Sequence, residues 1–311
     1  MPLPDFLVIG PPKAGTTALH SALAAHPQLF MSAVKEPRFF LSDGRPPPSR
    51  GGPGDAQTYQ EYVWRRSDYE DLFAAAPPGT LRGESSPFYL HDLVAHRRIR
   101  KLIPEAKLIA VLRDPVDRAH SNWAHLWSAG LEPYADFLRA CDEEDKRVAD
   151  GWAPFWQYTG LGRYGEQLEH LYDVFPRERV LLLRYRDLRD RAVETLDQIC
   201  EFLGVETGHL EKVPSENVRA HVPESPLNRG LQTVLRGGAA VGHVFPLPVR
   251  KMAREPLLAL LQRDGGRRPK ITPEQRSRLT KVFADDVPLL ERLTGESYAE
   301  WLTTDYNTGS S

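Results

Sequence analysis

Cysteine is scarce in this chain: two residues in 311, Cys141 and Cys200. Two thiols cannot build a disulfide framework. They suit a reducing compartment, where each packs as a small apolar group. No apolar run approaches the ~20 residues that span a bilayer, which argues against a transmembrane helix. The start, "MPLPDFLVIG", has no basic segment followed by an apolar stretch, so no signal peptide is expected. Charge of one sign is lacking too, with 40 Lys+Arg against 42 Asp+Glu and a formal net charge of -2. That excludes an overall basic field for nucleic acid, and "RRIRK" (97–101) reads as a solvated helix face. There is no internal repeat. These absences predict a soluble, cytoplasmic protein, and the Arg- and Ala-rich composition is in keeping with a bacterial source. Oligomeric state is not encoded in any of these features.

What is present is an alternation. "FLVIG" (6–10), "KLIAVLRDP" (107–115) and "RVLLLRY" (179–185) are short apolar runs of the kind that form buried parallel strands. Helical spacing follows each of them, at 16–27 with Pro27 as its stop, from Val116 to about Trp127, and at 191–205. This order predicts a single α/β domain over 1–311, a doubly wound, mainly parallel sheet with helices on both faces. The Pro/Gly-rich stretch 42–56 predicts a mobile surface loop. The span 214–250 shows little periodicity and predicts an irregular segment, either a substrate cover or a long connection. Thr272 before Pro273 predicts an N-cap for a helix running towards Leu293.

The first strand runs into "GPPKAGTT" (10–17). Gly10 and Gly15 keep the spacing of the nucleotide-phosphate loop G-x-x-x-x-G-K-[ST] and Thr17 follows, but Thr16 occupies the lysine slot and the lysine stands earlier, at Lys13. A strand–loop–helix of this kind presents backbone N–H groups and a helix N-terminus to an anion. The displaced Lys13 would meet a different oxygen from the one a kinase lysine meets.

"PPKAGTT" directly after an N-terminal strand resembles the 5′-phosphosulfate loop of sulfotransferases that use 3′-phosphoadenosine 5′-phosphosulfate (PAPS). The resemblance implies a P-loop-like fold and assigns Pro12, Lys13, Ala14, Gly15, Thr16 and Thr17 to the donor's 5′ end. Relatives hold the 3′-phosphate with an arginine at a later strand end and a serine eight residues on. "VLRDPVDRAHSNW" supplies Arg113 and Ser121 at that spacing, and a guanidinium fork suits phosphate. "VKEPRFF" (34–40) resembles the K-E-x-x-F-F segment of carbohydrate-type members, whose glutamate is the proposed base, here Glu36. "GESSPFYL" (83–90) resembles their E-x-T-P-x-Y segment, with Ser86 for threonine and Ser85 where heparan-modifying members carry lysine. "GGRRPKITPEQ" (265–275) resembles the late loop that closes on the nucleotide and nominates Arg267 and Arg268.

The implied chemistry moves a sulfuryl group from PAPS to a hydroxyl of a small-molecule, glycolipid or carbohydrate acceptor, with no metal. Glu36 accepts the proton and for this is expected to be partly desolvated with a raised pKa. The competing reading is that Glu36 only pairs with Lys35 or Arg38 at the surface, and His91 is the alternative base. His20 reads as a partly packed or solvent-facing helix residue. Two rival readings stand beside this one. A P-loop kinase or NTPase would want lysine at position 16 and an acidic strand end, where the chain has Thr16 and Arg113. A non-catalytic PAP(S)-binding protein would be expected to lose Lys13 or the base, and both are present.

Overall fold

The computed structural model describes residues 2–42, 44–47, 50–53, 62–214, 221–241, 247–263, 265–266 and 269–304. Five strands, β1 (Phe6–Gly10), β2 (Leu29–Met31), β3 (Leu81–Ser85), β4 (Lys107–Leu112) and β5 (Val180–Arg184), form one sheet in the order β2-β3-β1-β4-β5. All four pairings are parallel. The helices, in chain order, are α1 (Thr16–Leu23), α2 (Arg66–Asp71), α3 (Leu93–Leu102), α4 (Pro115–Ser128), α5 (Phe137–Asp142), α6 (Glu144–Ala149) and α7 (Tyr164–Val174). They continue with α8 (Tyr185–Asp190), α9 (Ala192–Leu203), α10 (Pro226–Val241), α11 (Leu247–Leu261), α12 (Pro273–Val282) and α13 (Asp286–Thr294). No helix among the described residues is long and apolar enough to cross a membrane.

The strands are apolar throughout because both faces are covered. Leu7, Ile9, Leu108, Ala110 and Leu112 point to one side, into a cluster with Ile99 of α3, Val116 of α4 and Leu168 of α7. Phe6, Val8, Ile109, Val111 and Leu183 point to the other, against Leu19 and Leu23 of α1 and Leu196 and Ile199 of α9. This is the predicted doubly wound arrangement. The chain leaves β1 for β2 and β3 on one side and then crosses to β4 and β5 on the other. In such a sheet the crevice opens at the carboxyl ends of the strands flanking that switch. The loops after β1, β3, β4 and β5 all emerge there.

Several boundaries differ from expectation. The run 107–115 stops being strand at Leu112, because the Asp114 carboxylate accepts from the amides of Val116 (2.9 Å) and Asp117 (3.0 Å) and starts α4 at Pro115. Thr272 does cap its helix, with a full capping box through Gln275. The helix expected to reach Leu293 breaks between Val282 and Asp286, since Pro288 cannot donate to the preceding turn and is tolerated only in a new first turn. The span 214–250 is not irregular: α10 and the start of α11 occupy 226–241 and 247–250. Leu231, Leu235 and Ala239 recur every four residues and pack on the core, a stripe hidden by Gly230, Gly237 and Gly238. Positions 215–220 and 242–246 of that span lie outside the described residues. In the stretch 42–56, the Gly51 amide bonds the Gly151 carbonyl (3.0 Å) and Gly51 bridges Trp152, which ties this part of the stretch to the segment before Ala153. Positions 43, 48–49 and 54–56 lie outside the described residues.

One close approach sets the relation between β1 and the turn after β3. Gly10 has φ +135°, and a Cβ there would sit 2.1 Å from the Pro87 carbonyl oxygen. The Ser86 amide bonds the Val8 carbonyl (3.0 Å) and the Leu90 amide bonds the Ile9 carbonyl (2.9 Å), so the turn cannot back away. Gly10→Ala is therefore expected to destabilise by more than about 3 kcal/mol, overpacking and backbone strain together. Gly79→Ala has φ +86° but open space, and should cost only the ~1–2 kcal/mol of a left-handed alanine. Urea unfolding of the two variants decides it; equal losses would mean that the Pro87 contact constrains nothing.

Candidate active site

The loop between β1 and α1 is held in a strained shape. Lys13 has φ +72° and Gly15, the N-cap residue of α1, has φ +79°. A left-handed lysine costs ~1–2 kcal/mol and persists only where surrounding contacts fix it. Here Arg113 supplies the contact: its Nη1 donates to the Lys13 carbonyl at 2.9 Å. The Arg113 guanidinium carbon lies 4.7 Å from the centre of the Tyr185 ring, and a Cβ on Gly15 would meet the same ring at 3.0 Å. Tyr185 opens α8 directly after β5, so the ends of β1, β4 and β5 close into one packed unit. Among the described residues no side chain caps α1. Thr16 is buried, Thr17 is exposed, and Pro12 and Ala14 are buried beneath the loop. The first turn of α1 therefore leaves backbone amides that a bound anion could satisfy.

Lys13 Nζ reaches across to α4, 3.4 Å from His125 Nδ1. The His125 ring meets Phe155 edge-on at 5.6 Å, and Phe155 meets Phe88 at 5.6 Å. Ser121, predicted beside Arg113, is buried in the second turn of α4. Arg267 and Arg268 lie outside the described residues. The described cation that reaches the β4 end from the C-terminal region is Arg276 of α12. It is buried with Asp114 in an ion pair and bonds Asp117 at 3.3 Å and the Thr303 carbonyl at 3.1 Å. Sequence reading missed it, because partners 162 residues apart leave no local pattern.

Glu36 sits in the turn after β2. Its amide donates to the Ser85 carbonyl (3.0 Å), and the Arg38 amide donates to Ser86 Oγ (3.1 Å). Glu36 (φ +60°) and Arg38 (φ +59°) are both left-handed non-glycine residues, which marks a second strained turn pinned to the end of β3. The carboxylate is 14% exposed and gripped at both oxygens, by Lys35 Nζ and Arg38 Nη2, each at 2.6 Å. Burial pushes this carboxyl up, but Arg38 and then Lys35 outweigh it and hold the pKa at about 2. The expectation of a raised pKa is therefore corrected: desolvation is present, and two cations more than cancel it.

The raised carboxyl is its neighbour. Glu84 of β3 is wholly buried, with the Tyr69 hydroxyl donating to its Oε1 at 3.2 Å. Burial pushes it up to about 7; hydrogen bonding to Tyr89, Ser86 and Tyr69 works against that rise, and the Glu36 charge adds to it. His20 is half-buried, its Nδ1 3.0 Å from Ser85 Oγ, and burial with nearby Lys35 lowers its pKa to about 4. His91 lies in the wall of a cleft of about 270 Å³ that Tyr62, Phe88, Leu93 and Pro154 also line. Burial lowers its pKa, and it is hydrogen-bonded to Gln157.

Fold and site together define a parallel α/β protein with a glycine-containing strand–helix loop at the switch point of its sheet. The model of the sulfotransferase family matches residues 4–209, and the chain belongs to that family. It is 30% identical over 210 residues to the human bifunctional heparan sulfate N-deacetylase/N-sulfotransferase 3, covering 65% of this chain and 22% of that protein. To the human heparan sulfate glucosamine 3-O-sulfotransferase 3B1 it is 28% identical over 204 residues, covering 65% of this chain and 46% of that one. The chain thus spans less than half the length of these relatives. The crystal structure of a sulfotransferase from Alicyclobacillus acidocaldarius superposes with a TM-score of 0.74 at 26% identity, over 97% of this chain and all of that one.

The buried Glu84 makes stability depend on pH in a defined direction. Its folded pKa of about 7 stands above the ordinary 4.5, so between these values the folded state binds more proton than the unfolded state. Its contribution is fully present below pH ~4.5 and is lost as pH rises through ~7. Relative to wild type, Glu84→Gln should gain up to about 3 kcal/mol on going from pH 5 to pH 8. Chemical unfolding at both pH values checks this; a difference that does not change with pH would mean Glu84 is not held neutral.

Proposed function

We propose that this chain transfers a sulfuryl group from PAPS to a hydroxyl acceptor by in-line displacement. The observation that carries the reading is the clasped loop: Lys13 strained into the crevice, Arg113 locked beside it, and an α1 N-terminus without a side-chain cap. Positive charge and amides are thereby set at one point before any ligand arrives, which is the electrostatic preorganisation that anion transfer needs. The loop 12–17 suits the donor's 5′ end. Arg113, with Ser121 further along α4, suits the 3′-phosphate; they orient rather than react.

In the step itself, the acceptor oxygen forms a bond to sulfur while the sulfur–oxygen bond to the 5′-phosphate breaks. The electron pair leaves with that phosphate, where Lys13 and the α1 N-terminus meet the growing charge. The acceptor proton goes to Glu36. Its resting pKa makes it a weak base, so one cation must loosen. Lys35 is the candidate, at 24% exposure against 4% for Arg38, and the donor's negative charge would draw it away. The acceptor is a small-molecule, glycolipid or carbohydrate hydroxyl. Similarity to heparan-modifying proteins supports a sugar, while Ser85 in place of their lysine weakens that inference.

The kinase reading needs a strand-end carboxylate to share a metal with a loop hydroxyl. The acid at that place is Asp114, which caps α4 and pairs with Arg276. Transfer of ³⁵S from labelled PAPS is accordingly expected to run at nearly full rate in excess EDTA. Lys13→Ala should lose at least ~10²-fold in kcat, without rescue by Mg²⁺. Abolition by EDTA with recovery in Mg²⁺ would overturn the metal-free reading.

The ionisation of Glu36 gives a second expectation. A base already deprotonated above about pH 2 produces no acid limb in kcat/KM between roughly pH 4 and 8. A limb centred near 5–7 that Glu84→Gln leaves in place would remove Glu36 from the role and promote His91.

A further inference from the structure

The cleft that holds His91 adjoins the reacting groups through one side chain. The Arg38 guanidinium carbon lies 5.4 Å from the Tyr62 ring centre and 5.5 Å from that of Phe88, and the same guanidinium grips Glu36. Phe88 also connects, through Phe155 and His125, to Lys13. The aromatic walls of the cleft are therefore one residue from Glu36 and three contacts from Lys13. Arg38 is thus the contact that the cleft and Glu36 share, which places the cleft beside the reacting groups.

The lining determines what could sit there. Tyr62, Phe88, Leu93 and Pro154 offer aromatic and aliphatic surface. Two polar members are already occupied: the Asp92 carboxylate caps α3, 2.9 Å from the amides of Val94 and Ala95, and His91 is bonded to Gln157. Arg50, exposed at the rim, adds a cation. A volume of about 270 Å³ falls just below the ~300–1,000 Å³ usual for small-molecule sites and fits one or two rings. A heparan-type chain carries anionic groups along its length. Burying several against this lining would strip their water with Arg50 as the cation in return, which is costly.

We propose that this cleft is the acceptor subsite and that it selects a compact hydroxyl compound, an apolar or aromatic ring bearing one anionic group directed to Arg50, over an anionic sugar chain. The proposal rests on the sulfuryl-transfer reading. Its test is ³⁵S transfer from PAPS to 4-hydroxyphenylacetate, to p-cresol and to an N-desulfated heparan hexasaccharide, with binding of adenosine 3′,5′-bisphosphate measured alongside. The expected result is transfer to both phenols, better to the acid, and little to the hexasaccharide. Arg50→Ala should raise KM for the acid about tenfold more than KM for p-cresol, the scale of one charge-assisted contact. Tyr62→Ala should raise KM for both phenols, leaving bisphosphate binding intact as proof of folding. Preference for the hexasaccharide, failure of both phenols while the bisphosphate binds, or equal effects of Arg50→Ala on the two phenols would each overturn the proposal and leave sulfuryl transfer standing. No bisphosphate binding and no transfer to any acceptor would bring down the sulfuryl-transfer reading and this proposal with it.

Discussion

The hydrogen bond from Arg113 to the Lys13 carbonyl is the constraint on which the site depends. A lysine backbone at φ +72° relaxes unless something outside the loop holds it. Arg113 can do so because β4 and β1 are parallel neighbours, so both chains leave the sheet at the same edge. Tyr185, at the end of the next strand, stacks on the guanidinium and stands where any side chain at Gly15 would go. Sheet order thus becomes loop shape, and loop shape sets the direction of the lysine. An arginine that also met a donor phosphate would couple occupancy of one end of the donor to geometry at the other.

A second tie runs from the C-terminal helices. Arg276 reaches Asp114 and Asp117, and Asp114 both caps α4 and stands beside Arg113. Burial and Asp117 raise the Asp114 pKa to about 6, and Arg276 works against that rise. The ion pair is buried at both partners, so removing Arg276 alone would leave a carboxylate without its counter-ion at the mouth of the site. The C-terminal region therefore contributes to the shape of the β4 end although it lies beyond the matched residues 4–209.

Much of this was legible from residues 6–17 and 107–121. Strands covered on both faces read as unbroken apolar runs, and a phosphate loop announces itself by glycine spacing. β2 and β3 were harder. β2 has three residues, and β3 carries Arg82 and Glu84, whose charges are answered by Asp5 and Tyr69 from elsewhere in the chain. The helix α10 was obscured by its glycines, although its buried positions keep a four-residue spacing. The partners of Glu36 were legible as neighbours in sequence. That they would enclose it was not, since the enclosure depends on Ser85 and Ser86 pinning the turn. The Arg276–Asp114 pair left no trace at all, because only the folded chain brings residues 114 and 276 together.

The two carboxyls flanking Ser85–Ser86 show how one turn can support opposite ionisation states. Glu36 and Glu84 are both largely or wholly buried, so burial raises each. Glu36 meets two cations and remains an anion; Glu84 meets no cation among the described residues, and burial, only partly offset by the hydroxyls of Tyr69 and Tyr89, raises its pKa to about 7. Each state reinforces the other, because the fixed charge on Glu36 further opposes ionisation of Glu84. Groups pushed apart in this way are the usual sign of divided acid–base labour. On the proposed reading, the division leaves Glu36 as the carboxylate that would receive a proton, while Glu84 stays buried. If Lys35 is drawn off by an arriving anion, Glu36 becomes more basic at the moment an acceptor hydroxyl must lose its proton. A base kept inert by its own counter-ions until the donor is present would not have to be desolvated afresh in each turnover, which is a physical reason for placing it between two cations instead of in an apolar pocket.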